Sequence, residues 1–220
     1  RFFVSKESYF LFLNRHDKKF YEDLGKVTIQ NFKIIGGSGV DEKEFPFTKP
    51  LKKGKIEIVY TGRILKDKGV IDLIKAMKLL DDESKKDIVL KLYGTIDIKN
   101  PAHIKEEELK SQLIRGFIKW EGFTSEVKRI LESADIYCLP SYREGLPKSS
   151  IEAMAIGRPI ITTNVPGCED TVQDGYNGYK IEAGDVEALS KKLNELIKNK
   201  QLRIQMGENS RKLFLRNFTL

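Results

Sequence analysis

From residue 56 onward, short apolar runs that stop at glycine or proline alternate with amphipathic stretches. In the amphipathic stretches the apolar residues recur at helical spacing, as Val70, Ile74 and Met77 do. Strands that alternate with helices imply right-handed crossovers, and therefore an α/β fold with a parallel sheet and helices on both faces. We predict strands at 56–60, 89–93, 117–120, 135–139, 160–163 and 178–181, and helices at 69–80, 105–113, 126–133, 149–156, 185–198 and 202–214.

Residues 1–40 differ from the rest of the chain. They hold a predicted strand at 9–13, a helix at 17–24 and a strand at 32–35, followed by a glycine-rich stretch at 36–39. Three such elements cannot bury a core by themselves. We therefore expect residues 1–40 to be the tail of a preceding domain with a hinge at 36–41, and residues 41–220 to be a second domain.

The 220 residues carry a net charge of +7, and all of this excess lies in residues 1–120, which hold 25 Lys and Arg against 18 Asp and Glu. A basic surface attracts phosphates or anionic lipid. Nucleic acid is disfavoured, because acids interrupt the basic residues and no aromatic–basic ladder is present. No apolar run approaches the roughly 20 residues of a membrane span. We expect a cytoplasmic protein with reduced cysteines, able to sit at the inner face of the cell membrane.

Residues 141–153 hold the densest group of chemically useful side chains. The segment follows a predicted strand, and in parallel sheets ligands bind outside the carboxyl ends of the strands. Pro147 suits the first turn of the next helix, whose free N–H groups form an anion site. Glu144 lies before that helix and Glu152 lies within it, among apolar neighbours. Each glutamate is either a solvated surface residue or part of a site, and a partly buried Glu152 needs a partner.

Glu144 and Glu152 form an E-x7-E element, and the residues around it strengthen the pattern. This set resembles the retaining glycosyltransferases of family four, also called glycosyltransferase group 1, over about residues 32–200. The matching segments are Ser38-Gly39-Val40-Asp41, Gly62-Arg63, Lys68-Gly69, Ala134-Asp135-Ile136, Leu139-Pro140-Ser141, Glu144-Gly145, Glu152-Ala153, Gly157-Arg158-Pro159 and Val165-Pro166-Gly167.

The resemblance implies a GT-B fold, in which two Rossmann-like domains face each other and the second binds a nucleotide-sugar. Arg63 and Lys68 would then contact the diphosphate, where cations stabilise the charge of the leaving group. Glu144 would face the sugar, Glu152 would bind the ribose hydroxyls, and the base would lie near Gly94 and residues 119–123. The implied catalytic residues are Arg63, Lys68 and Glu144, and the implied nucleotide-sugar-binding residues are Gly39, Gly62, Gly94, Gly122, Gly145, Leu146, Pro147, Lys148, Ser149 and Glu152.

Two features refine the expected substrate. The loop after Gly94 contains Asn100-Pro101, as in family members that build bacterial surface and lipid-linked glycans, many of which use UDP-sugars. The sequence has no Asp-x-Asp pair of the kind that holds a divalent cation on a diphosphate. We therefore expect a UDP-linked hexose or N-acetylhexosamine as substrate, a glycan or lipid-diphosphate-linked saccharide as acceptor, and neither a metal nor a cofactor.

Other functions fit less well. Glycoside hydrolases hold their two carboxyl groups about 5–9.5 Å apart, whereas eight residues of mostly helical path span about 12 Å. A sugar-nucleotide epimerase of the same fold and a non-catalytic nucleotide-binding module stay open. The family's histidine near the reacting carbon belongs to the first domain, and neither His16 nor His103 matches it. We expect these 220 residues alone to bind nucleotide weakly and to transfer no sugar.

Overall fold

The computed structural model describes residues 8–25, 28–35, 39–50 and 54–220. Strands and helices alternate along most of this length. Short 3-10 helices lie at Lys66–Lys68 and Glu169–Thr171. The strands are β1 (Phe10–Phe12), β2 (Phe32–Ile34), β3 (Ile56–Thr61), β4 (Ile88–Tyr93), β5 (Ile118–Gly122), β6 (Ile136–Leu139), β7 (Ile160–Thr163) and β8 (Gly178–Ile181). The helices are α1 (Arg15–Gly25), α2 (Val70–Lys78), α3 (Asp82–Lys86), α4 (Glu106–Gln112), α5 (Val127–Ser133), α6 (Lys148–Ile156), α7 (Val186–Lys198) and α8 (Lys200–Asn217).

Strands β3 to β8 form one parallel sheet in the order β5-β4-β3-β6-β7-β8. The chain builds outward from β3 through β4 to β5, and then returns to the other side of β3 with β6. The sheet therefore has a topological switch point between β3 and β6, where Ile58 pairs with Ile136. This confirms the predicted parallel α/β architecture, and each strand predicted from residue 56 onward lies within two residues of its observed bounds.

The sheet is buried on both faces. Ile58, Val59 and Tyr60 of β3 are all fully buried. The amphipathic helices supply the covering: α2 and α3 pack with α7, while α6 packs with α5 and α8. Each fully buried aliphatic side chain contributes about 1.5–3 kcal/mol, so this two-sided burial holds the strand ends, and the loops that leave them, in fixed positions.

Strands β1 and β2 form a separate parallel pair, with Phe10 opposite Phe32. They share no ladder with the six-stranded sheet among the described residues. Val40 then pairs with Thr219 beyond α8, and its N–H donates to Phe218 O at 2.9 Å. Gly36, Gly37 and Ser38 of the predicted hinge lie outside the described residues, and the domain division at residue 40 stays a prediction.

Two local predictions need correction. Pro147 is the residue before α6 and not part of its first turn, since the helix begins at Lys148. Helix α3 was not predicted, because its five residues are too few to show a period. It begins where the Asp81 carboxylate accepts a hydrogen bond from the Ser84 N–H at 2.7 Å. Within the described residues, no helix is both long enough and apolar enough to cross a membrane.

Candidate functional site

The loops that leave β3 and β6 meet at the carboxyl edge of the sheet, at the switch point. The Tyr142 N–H donates to Asp67 O at 2.8 Å, and the Tyr142 hydroxyl donates to Asp72 Oδ2 at 2.8 Å. Gly69 has a φ of +68°, and a Cβ there would lie 2.0 Å from Pro140 O. Only glycine allows this contact, so the Lys68-Gly69 turn is held against the loop that contains Glu144. In open α/β sheets, ligands bind at such a crevice.

Lys68 and Glu144, two of the predicted catalytic residues, form an ion pair across this crevice. Lys68 Nζ lies 2.7 Å from Glu144 Oε1, and the two side chains are only 15% and 17% exposed. The Ser141 hydroxyl donates to the same carboxylate oxygen at 2.8 Å. Charge-assisted hydrogen bonds of this length are among the stronger polar contacts, so Glu144 is oriented from both sides.

The loop after β7 supports Glu144 from below. Gly167 has a φ of +80°, and a Cβ there would lie 2.5 Å from both Glu144 O and Gly145 O. The Glu144 N–H donates to Pro166 O at 3.3 Å, and the Thr163 hydroxyl donates to Ser141 O. The Val165-Pro166-Gly167 segment singled out in the sequence is thus the support of this loop.

Arg63 lies on the other side of the β3 turn and is half exposed. Its Nη1 is 3.3 Å from Asp97 Oδ2, so its charge is paired with the loop that follows β4. The buried Tyr60 hydroxyl donates to Arg63 O at 2.6 Å and fixes the turn from below. Burial, ahead of the nearby charges, raises the pKa of Tyr60 well above its usual value, so it stays a hydrogen-bond donor.

A cleft of about 220 Å³ opens beside Arg63. Gly94 lines this cleft and lies against Gly62. A Cβ at position 94 would come within 1.8 Å of Gly62 O, a clash that glycine avoids. The Gly94 N–H donates to Gly122 O at 2.8 Å, which ties in the end of β5. The structure therefore brings together several residues from the predicted base-binding region. The cleft is lined by Thr61, Gly62, Arg63, Tyr93, Gly94, Thr95, Phe123, Thr124 and Val127.

Glu152 projects from α6 and is 9% exposed. Burial raises the pKa of its carboxyl, Lys148 lowers it, and Glu44 raises it. The Lys148 ammonium, one turn earlier on the helix, lies 3.7 Å from Glu152 Oε1. Glu152 is the fifth residue of α6, and a carboxylate this buried needs a hydrogen-bonding or charged partner.

Beneath the crevice lies a polar network that was not predicted from the sequence. The fully buried Tyr137 hydroxyl lies 3.3 Å from both Thr61 Oγ1 and Thr61 O, and it also hydrogen-bonds the Ser149 side chain. It thereby joins the end of β3 to the first turn of α6. Burial raises the pKa of Tyr137, so its hydroxyl keeps its proton.

The remaining predicted residues occupy different surroundings. Leu146 packs against the core, and Pro147 leads into α6. Gly145, one of the predicted nucleotide-sugar-binding residues, lies against Leu13, since a Cβ there would lie 2.5 Å from Leu13 Cδ1. Gly39 packs beside Phe218 and Leu220 at the end of the chain. The roles of these residues in nucleotide-sugar binding stay predictions.

No three His, Cys, Asp or Glu side chains gather into a metal-binding group in the part of the chain that the structure describes. Cys138 and Cys168 are free and buried. Burial raises the thiol pKa of each, so neither resembles an activated nucleophile. Lys68 and Glu144 thus stand out as the paired charges of the crevice, with Arg63 on the neighbouring turn.

The parallel six-stranded sheet and its covering helices form an α/β architecture of the GT-B type. The chain belongs to the family described as "Glycosyl transferases group 1", whose profile matches residues 41–213. The family resemblance predicted from the sequence is therefore confirmed.

Two bacterial glycosyltransferases are among the curated relatives of this chain. The chain is 33% identical over 193 residues to the capsular polysaccharide biosynthesis glycosyltransferase CapM of Staphylococcus aureus, covering 85% of this chain and 50% of CapM. It is 29% identical over 213 residues to the N,N'-diacetylbacillosaminyl-diphospho-undecaprenol alpha-1,3-N-acetylgalactosaminyltransferase of Campylobacter jejuni, covering 91% of this chain and 54% of that one. The chain thus spans about half the length of the curated relatives it matches.

Solved structures support the fold. The crystal structure of Anabaena Alr3699/HepE in complex with UDP and glucose superposes with a TM-score of 0.83 at 18% identity, covering 96% of this chain and 59% of that one. At this identity the likeness concerns the fold, which is that of GT-B glycosyltransferases.

Proposed function

We propose that this chain is the nucleotide-sugar-binding half of a retaining, metal-independent glycosyltransferase. It would take a UDP-hexose or UDP-N-acetylhexosamine and serve an acceptor that is a glycan or a lipid-diphosphate-linked saccharide. The observation that carries the proposal is the paired Lys68 and Glu144 at the switch point, one loop away from the buried Glu152 on α6.

The site chemistry suits a nucleoside diphosphate. The N-terminus of α6 presents free N–H groups and a positive dipole end, which favour phosphate. Lys68 and Arg63 would add positive charge, and Glu152 would accept hydrogen bonds from the ribose hydroxyls. Glu144, held by Lys68 and Ser141, would face the sugar. The cleft beside Gly94 and Phe123 would take the base.

In the proposed reaction, the bond between the anomeric carbon and the diphosphate oxygen breaks, and its electron pair leaves with UDP. An acceptor hydroxyl oxygen bonds to the anomeric carbon and gives up its proton. Negative charge grows on the diphosphate during this step, so cations already in place stabilise the transition state more than the bound substrate.

Support for the acceptor and the location comes from the relatives and from charge. The Campylobacter jejuni relative is named for a diphospho-undecaprenol substrate. The surplus of positive charge in residues 1–120 suits the anionic inner face of a membrane. We therefore place the protein in the cytoplasm, in contact with that face.

Product analysis tests the proposal. A longer chain that carries both halves is incubated with UDP-sugars and a lipid-diphosphate-linked saccharide, with and without a chelator. We expect a glycoside whose anomeric configuration matches the nucleotide-sugar, formed equally well with chelator. An epimerised nucleotide without acceptor would indicate the epimerase, and no turnover would indicate a binding module; either result contradicts the proposal.

A further inference from the structure

The segment between β1 and α1 lies directly on the loop that carries Glu144. Asn14 Nδ2 donates to Gly145 O at 2.8 Å, across 131 positions of sequence. Asn14 is only 3% exposed. A buried amide that donates to a backbone carbonyl adds a restraint to the loop that carries it.

The Asn14 side chain also caps the N-terminus of α1. Asn14 Oδ1 accepts from the Asp17 N–H at 2.8 Å, and Asn14 Nδ2 lies 3.0 Å from Asp17 Oδ2. The position of the amide is therefore set by the helix cap. The Asn14 amide is therefore already held by Asp17 when it donates to Gly145 O.

Neighbouring contacts tighten the junction. Arg143 Nη2 lies 3.3 Å from Asp17 Oδ1, and the Arg143 guanidinium lies over the Phe20 ring at 5.3 Å. Beside this, His16 Nε2 lies 2.8 Å from Glu169 Oε1, in the 3-10 helix that follows Gly167. Residues 13–20 thus contact both the loop of residues 143–145 and the segment that supports this loop.

The carbonyl that Asn14 holds belongs to the residue next to Glu144. Gly167 approaches the same carbonyl from the other side, since a Cβ on Gly167 would lie 2.5 Å from it. The Gly145 carbonyl belongs to the peptide that links Gly145 to Leu146, so the hydrogen bond from Asn14 restrains the backbone between Glu144 and the start of α6. It adds to the contacts of Lys68 and Ser141 with the Glu144 side chain.

We propose that Asn14 is a positioning residue: by holding Gly145 O, it orients Glu144 toward the transferred sugar. The proposal rests on the proposed glycosyltransferase function and deepens it. Asn14 acts through Gly145 and Glu144 and need not touch the substrate. It also gives residues 13–20 a direct part in shaping the nucleotide-sugar site formed by α6 and its preceding loop.

A serine substitution separates the two roles of Asn14. Serine is a good helix cap, but its hydroxyl is too short to replace the amide that reaches Gly145 O. Asn14→Ser therefore keeps α1 and removes the contact, whereas Asn14→Ala removes both. The matched control is Asn199→Ser, because Asn199 caps α8 by accepting from the Leu202 N–H at 2.9 Å and is exposed, without a loop contact of this kind.

Hydrogen exchange gives a readout that needs no nucleotide. In Asn14→Ser we expect the amides of residues 143–146, including the Glu144 N–H that donates to Pro166 O, to exchange about two- to tenfold faster than in Asn199→Ser, the factor that corresponds to one net hydrogen bond. We expect the midpoint of thermal unfolding to fall further in Asn14→Ser than in Asn199→Ser, because only Asn14→Ser loses a buried hydrogen bond. Unchanged exchange in the loop would overturn the proposal while leaving the proposed function intact.

Kinetics in the longer chain test the link to Glu144. We expect Asn14→Ser to lower kcat about tenfold while the affinity for free UDP stays near the wild-type value, and Asn199→Ser to change neither. In a Glu144→Gln background, Asn14→Ser should add little further loss, because both changes act on the same side chain. Fully additive losses would contradict action through Glu144. Failure of the wild type to transfer any sugar would instead refute the proposed function, and this proposal with it.

Discussion

Lys68 Nζ and Glu144 Oε1 lie 2.7 Å apart, and this ion pair joins the loops that leave β3 and β6. Both side chains are largely covered, so solvent screens their attraction less than it would on an open surface. The lysine charge is therefore already balanced before a ligand arrives. An incoming diphosphate would share Lys68 with Glu144, which keeps the ammonium in place between the sugar and the phosphates.

The Lys68–Glu144 pair should contribute to the stability of the ligand-free chain. We expect Lys68→Met and Glu144→Gln to show a coupling free energy of about 1–2 kcal/mol in a double-mutant cycle, as contacting charged residues commonly do. Urea unfolding of the two single variants and the double variant measures it. Strictly additive losses would mean that the pair contributes nothing to folding.

The basic residues should matter more for turnover than for binding of the nucleoside. In a chain with both halves, Lys68→Ala and Arg63→Ala should each lower kcat by about 10²–10³, because each removes a charge that stabilises the leaving diphosphate. Lys66→Ala is the matched control, since Lys66 is exposed on the same turn. Near-normal turnover in both variants would assign Lys68 and Arg63 to ordinary surface charge.

Glu152 should make the ligand-free chain less stable as the pH rises. Burial raises its pKa in the folded state, so the folded chain binds a proton more tightly than the unfolded chain, whose glutamate titrates near pH 4.3. Stability is then lost as the pH rises from about 4.3 through the raised pKa. Glu152→Gln should unfold at a higher temperature than the wild type at pH 7, with the difference vanishing below about pH 4.

The control for this measurement is Glu208→Gln, at an exposed position on α8. It should show no such pH-dependent gain. A Glu152→Gln variant that is less stable than the wild type at neutral pH would mean that the Lys148 ion pair outweighs the cost of burying the carboxylate, and the ligand-binding interpretation of its burial would lose its basis.

The chain should prefer uridine nucleotides. The loop that contains Asn100-Pro101 is the feature behind the expected preference for UDP, and the cleft beside Gly94 and Phe123 is the proposed place for the base. We expect UDP to bind this chain about tenfold more tightly than GDP or ADP, a difference of about 1.4 kcal/mol. Binding should not change when a chelator is added. Equal affinities, or loss of binding with chelator, would contradict the UDP assignment and the metal independence respectively.

Much of the crevice could be predicted from local sequence. Glu144 was placed in a loop and Glu152 in a helix because apolar runs that end at Pro140 and turns such as Gly157 mark element boundaries within a few residues. The position of both loops at one sheet edge followed from the parallel topology. These inferences need only short-range patterns and the handedness of crossovers.

The long-range contacts that position the residues of the crevice could not be predicted in this way. Asn14 and Gly145 are 131 positions apart, and Arg63 meets Asp97 across a loop. Tyr137 reads as one more apolar strand residue, although its hydroxyl joins Thr61 to Ser149. Such pairings depend on how the elements pack, and they leave no periodic trace in the sequence.

The most direct test of the account is the affinity for free UDP of the wild type, Glu152→Gln and Glu144→Gln, measured by titration calorimetry on this chain. Glu152 is assigned to the ribose, so its loss should weaken UDP about ten- to a hundredfold, the worth of charge-assisted hydrogen bonds. Glu144 is assigned to the sugar, so its loss should leave UDP binding nearly unchanged and lower kcat in the longer chain. Equal weakening of UDP by both variants, or full affinity in Glu152→Gln, would contradict the proposed site.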